Sequence, residues 1–137
     1  MARALTRGFT AGIALTSCVI LTTACTTREP LGGPLVAEVS APTPVDALQA
    51  IADGASRCWN RGELGNYATI PELDTQVGRK RILLVEKGGE TALPALVIEA
   101  DGSPTQLRTF GPLSGQPLSN RINADIIRWS TGGSGCR

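Results

Sequence analysis

Acid–base, nucleophilic and phosphate chemistry each need particular residue types in particular company, and this chain supplies few of them. It contains no histidine, so the side chain that most often acts as general base or metal ligand is missing. Glu72 and Asp74 stand two apart, which in an extended strand puts both carboxylates on one face. Paired carboxylates can do acid–base work, and two solvated loop acids would show the same spacing. Gly111-Pro112-Leu113-Ser114-Gly115 comes nearest to a nucleophile elbow. Its spacing is not G-x-S-x-G, and there is no histidine to activate Ser114. Gly132, Gly133 and Gly135 follow the last apolar segment with no lysine after them, whereas a phosphate loop needs its glycines between a strand and a helix with a suitable lysine. The pattern points away from an enzyme and away from a metal or other cofactor. A carboxylate-based hydrolase using Glu72 and Asp74 is the weakest of the functional alternatives.

Binding chemistry has two candidates. Arg79-Lys80-Arg81 is a basic triplet at the mouth of an apolar run, suited to anionic envelope material or lipid headgroups. The same charges would also guard a strand start against edge pairing. Trp59 and Trp129 each close a helical segment and would either form an aromatic patch for a partner or pack around a nearby crosslink. Arg57, Arg61 and Arg128 flank the two tryptophans and read as solvating charges.

The N-terminus carries an address. Arg3 and Arg7 precede residues 8–24, which hold no charge, the order of a secretory signal peptide. The stretch is short and threonine-rich for a spanning helix of about 20 apolar residues. It closes on Leu21-Thr22-Thr23-Ala24-Cys25. This segment resembles the precursors of bacterial lipoproteins, whose lipobox ends in a cysteine that becomes the lipid-modified first residue of the mature protein. The resemblance implies removal of residues 1–24, lipidation of Cys25 and attachment to a bilayer. Leu21 stands four positions before Cys25, where the pattern usually has three. Leu15-Thr16-Ser17-Cys18 keeps the usual spacing, but using Cys18 would leave Val19-Ile20-Leu21 beyond the anchor. Thr26 supplies no acidic retention signal, which by the same resemblance favours the outer membrane, facing the periplasm.

Export changes the cysteine arithmetic. With Cys18 removed and Cys25 lipidated, Cys58 and Cys136 are left in a disulfide-permissive compartment and are expected to form one bridge. A metal site would need clustered ligands that this sequence lacks. Without Arg3 and Arg7 the 13 basic residues fall to 11, against 12 acidic ones. So balanced a charge gives no field to hold nucleic acid.

Behind these residues stand the elements that must position them. Residues 26–42 carry Pro30, Gly32, Gly33, Pro34 and Pro42 and read as a flexible tether behind the lipidated cysteine. A docked edge strand at Val36-Ala37-Glu38-Val39 is the smaller alternative. Thr43, Pro44 and Asp46 announce a helix start. Val45, Leu48, Ile51, Ala52, Ala55, Cys58 and Trp59 then recur at helical spacing, with Gly54 expected on the polar side. Tyr67-Ala68-Thr69-Ile70 suits a short strand that Pro71 confines to an edge or an end.

Ile82-Leu83-Leu84-Val85 is apolar on both faces and reads as a central strand. Gly88-Gly89 predicts a two-residue hairpin into residues 93–99, and Asp101-Gly102 a second turn into residues 106–110. In that last strand Leu107 and Thr109 should share one face, and Arg108 and Phe110 the other. Leu118, Ile122, Ile126, Ile127 and Trp129 mark a final helix, with Arg121 and Asp125 as an outward i,i+4 pair.

The expected architecture is α+β, in the order α-β-β-β-α. A small antiparallel meander of three to four strands carries two helices on one face and one disulfide. Residues 1–24 form the signal peptide, residues 25–42 the lipidated cysteine and tether, and residues 43–137 a single domain. The function expected is that of a membrane-anchored envelope lipoprotein, a small structural, assembly or protein-interaction module. Its partners would be the bilayer and an envelope protein or a second copy meeting the uncovered face of the sheet. The alternative is a binding module for an anionic envelope ligand through Arg79, Lys80 and Arg81.

Overall fold

The computed structural model describes residues 31–74, 76, 78–89 and 93–137. The signal peptide, Cys18, the lipidation residue Cys25 and the start of the tether lie outside the described residues. Five strands and two helices follow in the order β1 (Val36–Val39), α1 (Pro44–Cys58), β2 (Tyr67–Glu72), β3 (Arg81–Glu86), β4 (Leu96–Asp101), β5 (Thr105–Phe110) and α2 (Leu118–Ser130). Short 3-10 turns at Gly62–Asn66 and Pro112–Gly115 lead into β2 and α2. The strands make one antiparallel sheet in the order β1-β5-β4-β3-β2. The α+β class and the disulfide are as expected; β2 is the fourth strand that the Tyr67–Ile70 segment allowed, and β1 adds a fifth at the opposite edge.

One of those edges is β1, whose Val36 pairs with Arg108 and whose Val39 pairs with Thr105. The smaller of the two readings of this segment therefore describes it, and the folded unit reaches upstream of Thr43. Val39 is buried in the core while Glu38 faces out, the period-two alternation of a strand with one covered face. β2 is the other edge, and it tolerates Pro71 because an edge strand can spare a ladder hydrogen bond. β3 lies between β2 and β4 as expected, with Ile82 and Leu84 buried against the helices and Leu83 and Val85 half-buried on the opposite face.

The Gly88-Gly89 prediction needs correction. A two-residue turn there would set Leu83 opposite Pro94, but Leu83 pairs with Val97 and Leu84 with Leu96. The connection runs over residues 87–95, and of the two glycines only Gly88 takes a positive φ. The longer path lets β3 pair with β2 along its whole length while β4 joins only as far as Leu84. The second turn holds: Asp101 pairs with Gln106, and Gly102 adopts φ +79° between them.

Helix α1 starts as its sequence dictates. Thr43 Oγ1 accepts from the Asp46 N–H at 3.1 Å, and Pro44 occupies the first turn. Ala47, Leu48, Ile51, Ala52, Ala55 and Cys58 are buried against Ile82, Leu84, Leu96, Ile98 and Leu107 of the sheet and Ile122, Ile126 and Trp129 of α2. Gly54 belongs to this buried set and not to the polar side. A Cβ there would lie 2.2 Å from Trp129 Cδ2, so the missing side chain is what lets the two helices approach.

The bridge joins Cys58 to Cys136 with their Cα atoms 5.3 Å apart. Beneath it sits a polar cluster. Trp59 Nε1 donates to Asp125 Oδ2 at 2.8 Å, Arg128 pairs with the other carboxylate oxygen, and the two indole rings stand 5.2 Å apart. Asp125 is 1 % exposed. It is not the outward partner of Arg121, whose Nη2 donates to the Arg137 carbonyl at 3.0 Å. Arg128 likewise does more than solvate this end, since it also donates to the Gly135 carbonyl at 3.1 Å and lies over the Trp129 ring.

Candidate interaction surface

Both helices pack on the sheet face formed by Ile82, Leu84, Leu96, Ile98, Ala100, Leu107 and Thr109, so the alternate residues of each strand face the other way. Register then decides which of them meet. Ile70 pairs with Leu83, Leu83 with Val97 and Val97 with Phe110. Directly paired residues share a face, and these four form one apolar row across four strands. Phe110 is 46 % and Ile70 43 % exposed. Val97, in the middle of the row, is 6 % exposed yet stands outside the helix-covered core.

A second row runs beside it. Glu72 pairs with Arg81, Arg81 with Glu99 and Glu99 with Arg108. The signs alternate across the sheet, and opposite charges on paired strands are favourable neighbours. Arg81 Nε donates to Glu72 Oε2 at 2.6 Å, and Arg108 pairs diagonally with Asp101. The open face of the sheet is thus an apolar strip bordered by an ordered line of alternating charge.

This arrangement places the sequence-predicted binding residues. Arg81 is a member of the charged row, tied to Glu72. Arg79 and Lys80 line a hollow with Glu99 and Asp101, so the triplet lies among carboxylates and is not a purely positive patch. Glu72 and Asp74 are each engaged locally: Glu72 accepts from Arg81, and Asp74 Oδ1 accepts from the Gln76 N–H at 2.8 Å. Ser114 Oγ donates to the Gly111 carbonyl at 2.7 Å, which closes the 3-10 turn on itself. Trp59 and Trp129 are buried in the cluster beneath the disulfide. Among the described residues no group of three or more acidic or cysteine side chains could hold a metal ion, and no helix is long and apolar enough to cross a membrane.

Comparison with family models, curated proteins and solved structures gives no match for this chain. The sequence assigns Arg108 and Phe110 to one side of β5, and that side is the open face. The participation of Ile70, Val97 and Glu99 depends on cross-strand register, which a turn centred on Gly88-Gly89 places wrongly. A groove of about 450 Å³ between α1 and the β2 edge, lined by Gln49, Asp53, Trp59, Tyr67, Thr69 and Lys87 among others, also has no signal in the sequence, because its walls come from elements distant along the chain.

Proposed function

We propose that this protein is an exported lipoprotein of a bacterial envelope, held through Cys25 and acting as a small structural or protein-interaction module. The observation that carries the interaction reading is the apolar row Ile70–Leu83–Val97–Phe110 on the face of the sheet that the helices leave open. Ile70 and Phe110 at the two ends of the row are exposed, Leu83 is half-buried and Val97 buried, and apolar side chains grouped along one row mark an interaction site more often than scattered ones do. A line of alternating charge along one side of such a row gives a partner its register. The anchor rests on the lipobox-like Leu21-Thr22-Thr23-Ala24-Cys25, and attachment to the outer membrane on the neutral Thr26 that follows it.

Two measurements on the full chain in its membrane test the reading. Intact mass should give a chain starting at Cys25, heavier by a diacylglyceryl group with or without a further acyl chain, and gaining two hydrogens on reduction. An unprocessed or unlipidated chain would remove the anchor. A photo-crosslinking amino acid in place of Leu83 should give a discrete protein adduct, whereas one in place of the outward Ser56 on α1 should not. If neither position gives an adduct, the open face is not an interaction surface.

A further inference from the structure

The geometry points to a second copy of this chain as the occupant of the open sheet face, packed face to face about a two-fold axis parallel to the strands. This inference rests on the reading of that face as the interaction surface and names its partner. The charged row runs negative, positive, negative, positive from β2 to β5: Glu72, Arg81, Glu99, Arg108. Read from the other end, every sign is reversed. An axis between β3 and β4 lays the row against its own reversal. Glu72 then meets the partner's Arg108, and Arg81 meets the partner's Glu99. The same rotation brings Ile70 onto the partner's Phe110 and Leu83 onto the partner's Val97, so the apolar rows coincide.

The adjoining positions agree. Arg79 lies one pleat beyond Arg81, and Asp101 one pleat beyond Glu99. Both line the same hollow, and the rotation exchanges them, again base against acid. A two-fold axis running across the strands would instead set Arg81 on Arg81 and Glu99 on Glu99. The charges therefore select one of the two in-plane axes. Alternating charge also serves a single sheet, but that role does not explain why an apolar row in the same register lies beside it. An isologous interface requires a surface complementary to itself, and aligned sheets about 10 Å apart, with strands within about 30° of each other, are a standard packing.

The test is a charge exchange in the full chain purified from membranes in detergent, followed by sedimentation velocity. The wild-type protein should sediment as a dimer that dissociates on dilution. R81E and E99R each create two like-charge contacts across the axis, so each alone should associate at least about tenfold more weakly. Mixed in equal amounts, the two variants restore opposite charges at both contacts and should form a heterodimer. The double variant R81E/E99R should dimerise with itself. Circular dichroism and an intact Cys58–Cys136 bridge establish that each variant is folded.

A wild-type protein that is monomeric at every concentration overturns the inference. So does a dimer indifferent to R81E, or a mixture that stays monomeric. If the wild-type protein is monomeric while the Leu83 crosslinker captures a protein of different mass in membranes, the interaction surface stands and its self-pairing falls. If it captures nothing, both fall.

Discussion

The indole N–H of Trp59 donates to the buried carboxylate of Asp125 at 2.8 Å, linking the end of α1 to the middle of α2. The other oxygen of that carboxylate holds Arg128, so a single acid satisfies two donors from different parts of the chain. Removing one partner of a buried pair leaves an uncompensated group, at a cost of about 3–5 kcal/mol. Asp125→Ala should therefore lower unfolding free energy by roughly that much in urea titrations. Asp125→Asn, which keeps an acceptor for Trp59, should lower it by less. Equal losses in the two variants would mean that the charge on Asp125 does not matter.

The disulfide offers an effect of similar size by a different route. Cys58 and Cys136 are separated by 78 residues, and closing so long a loop removes entropy from the unfolded chain worth on the order of 4 kcal/mol. The double variant Cys58→Ser/Cys136→Ser should lose about that much stability in chemical denaturation. A thiol titration of the unfolded, unreduced wild-type protein should find neither cysteine reactive. Identical denaturation midpoints with and without reductant would show that the bridge constrains nothing.

Gly54 makes a prediction opposite in sign to helix propensity. In an exposed helix, Gly→Ala stabilises by about 1 kcal/mol. Here the new methyl would stand 2.2 Å from Trp129 Cδ2, and overpacking of this kind typically costs about 1–3 kcal/mol. Gly54→Ala should lower the melting temperature and alter tryptophan fluorescence. A rise in melting temperature would refute the close helix crossing.

The N-cap of α1 is a milder site. Thr43 Oγ1 accepts the Asp46 N–H and donates back to its carboxylate at 2.7 Å. Thr43→Ala should cost about 1 kcal/mol, and Thr43→Ser much less. Amide exchange at Asp46 should accelerate in the alanine variant, and unchanged exchange would show that the cap is not holding that N–H.

These sites differ in how far the sequence alone discloses them. The start of α1 is legible because capping is local: Thr43, Pro44 and Asp46 act within one turn. The paired cysteines are legible because only two remain once the N-terminal pair is assigned. Gly54 is not, because α1 buries a wide surface against both the sheet and α2, and the apolar count along one helix does not reveal the second neighbour. Asp125 has Arg121 four residues before it and Arg128 three residues after it, so helical spacing permits either pair. Trp59, 66 residues away, decides between them by drawing the carboxylate inward. The open face is half legible in the same way. Alternation assigns Arg108 and Phe110 a side, but their row-mates follow from register, and register here depends on a long connection and not on a tight turn.

The pairing of β1 with β5 imposes an order in time. Val36 is synthesised early, yet its partner is Arg108, so β1 waits for most of the chain before it finds a place. Distant pairing of this kind slows folding. β5 alone lies between β1 and β4, so a chain cut before Thr105 would leave both of those strands without the ladder that joins them.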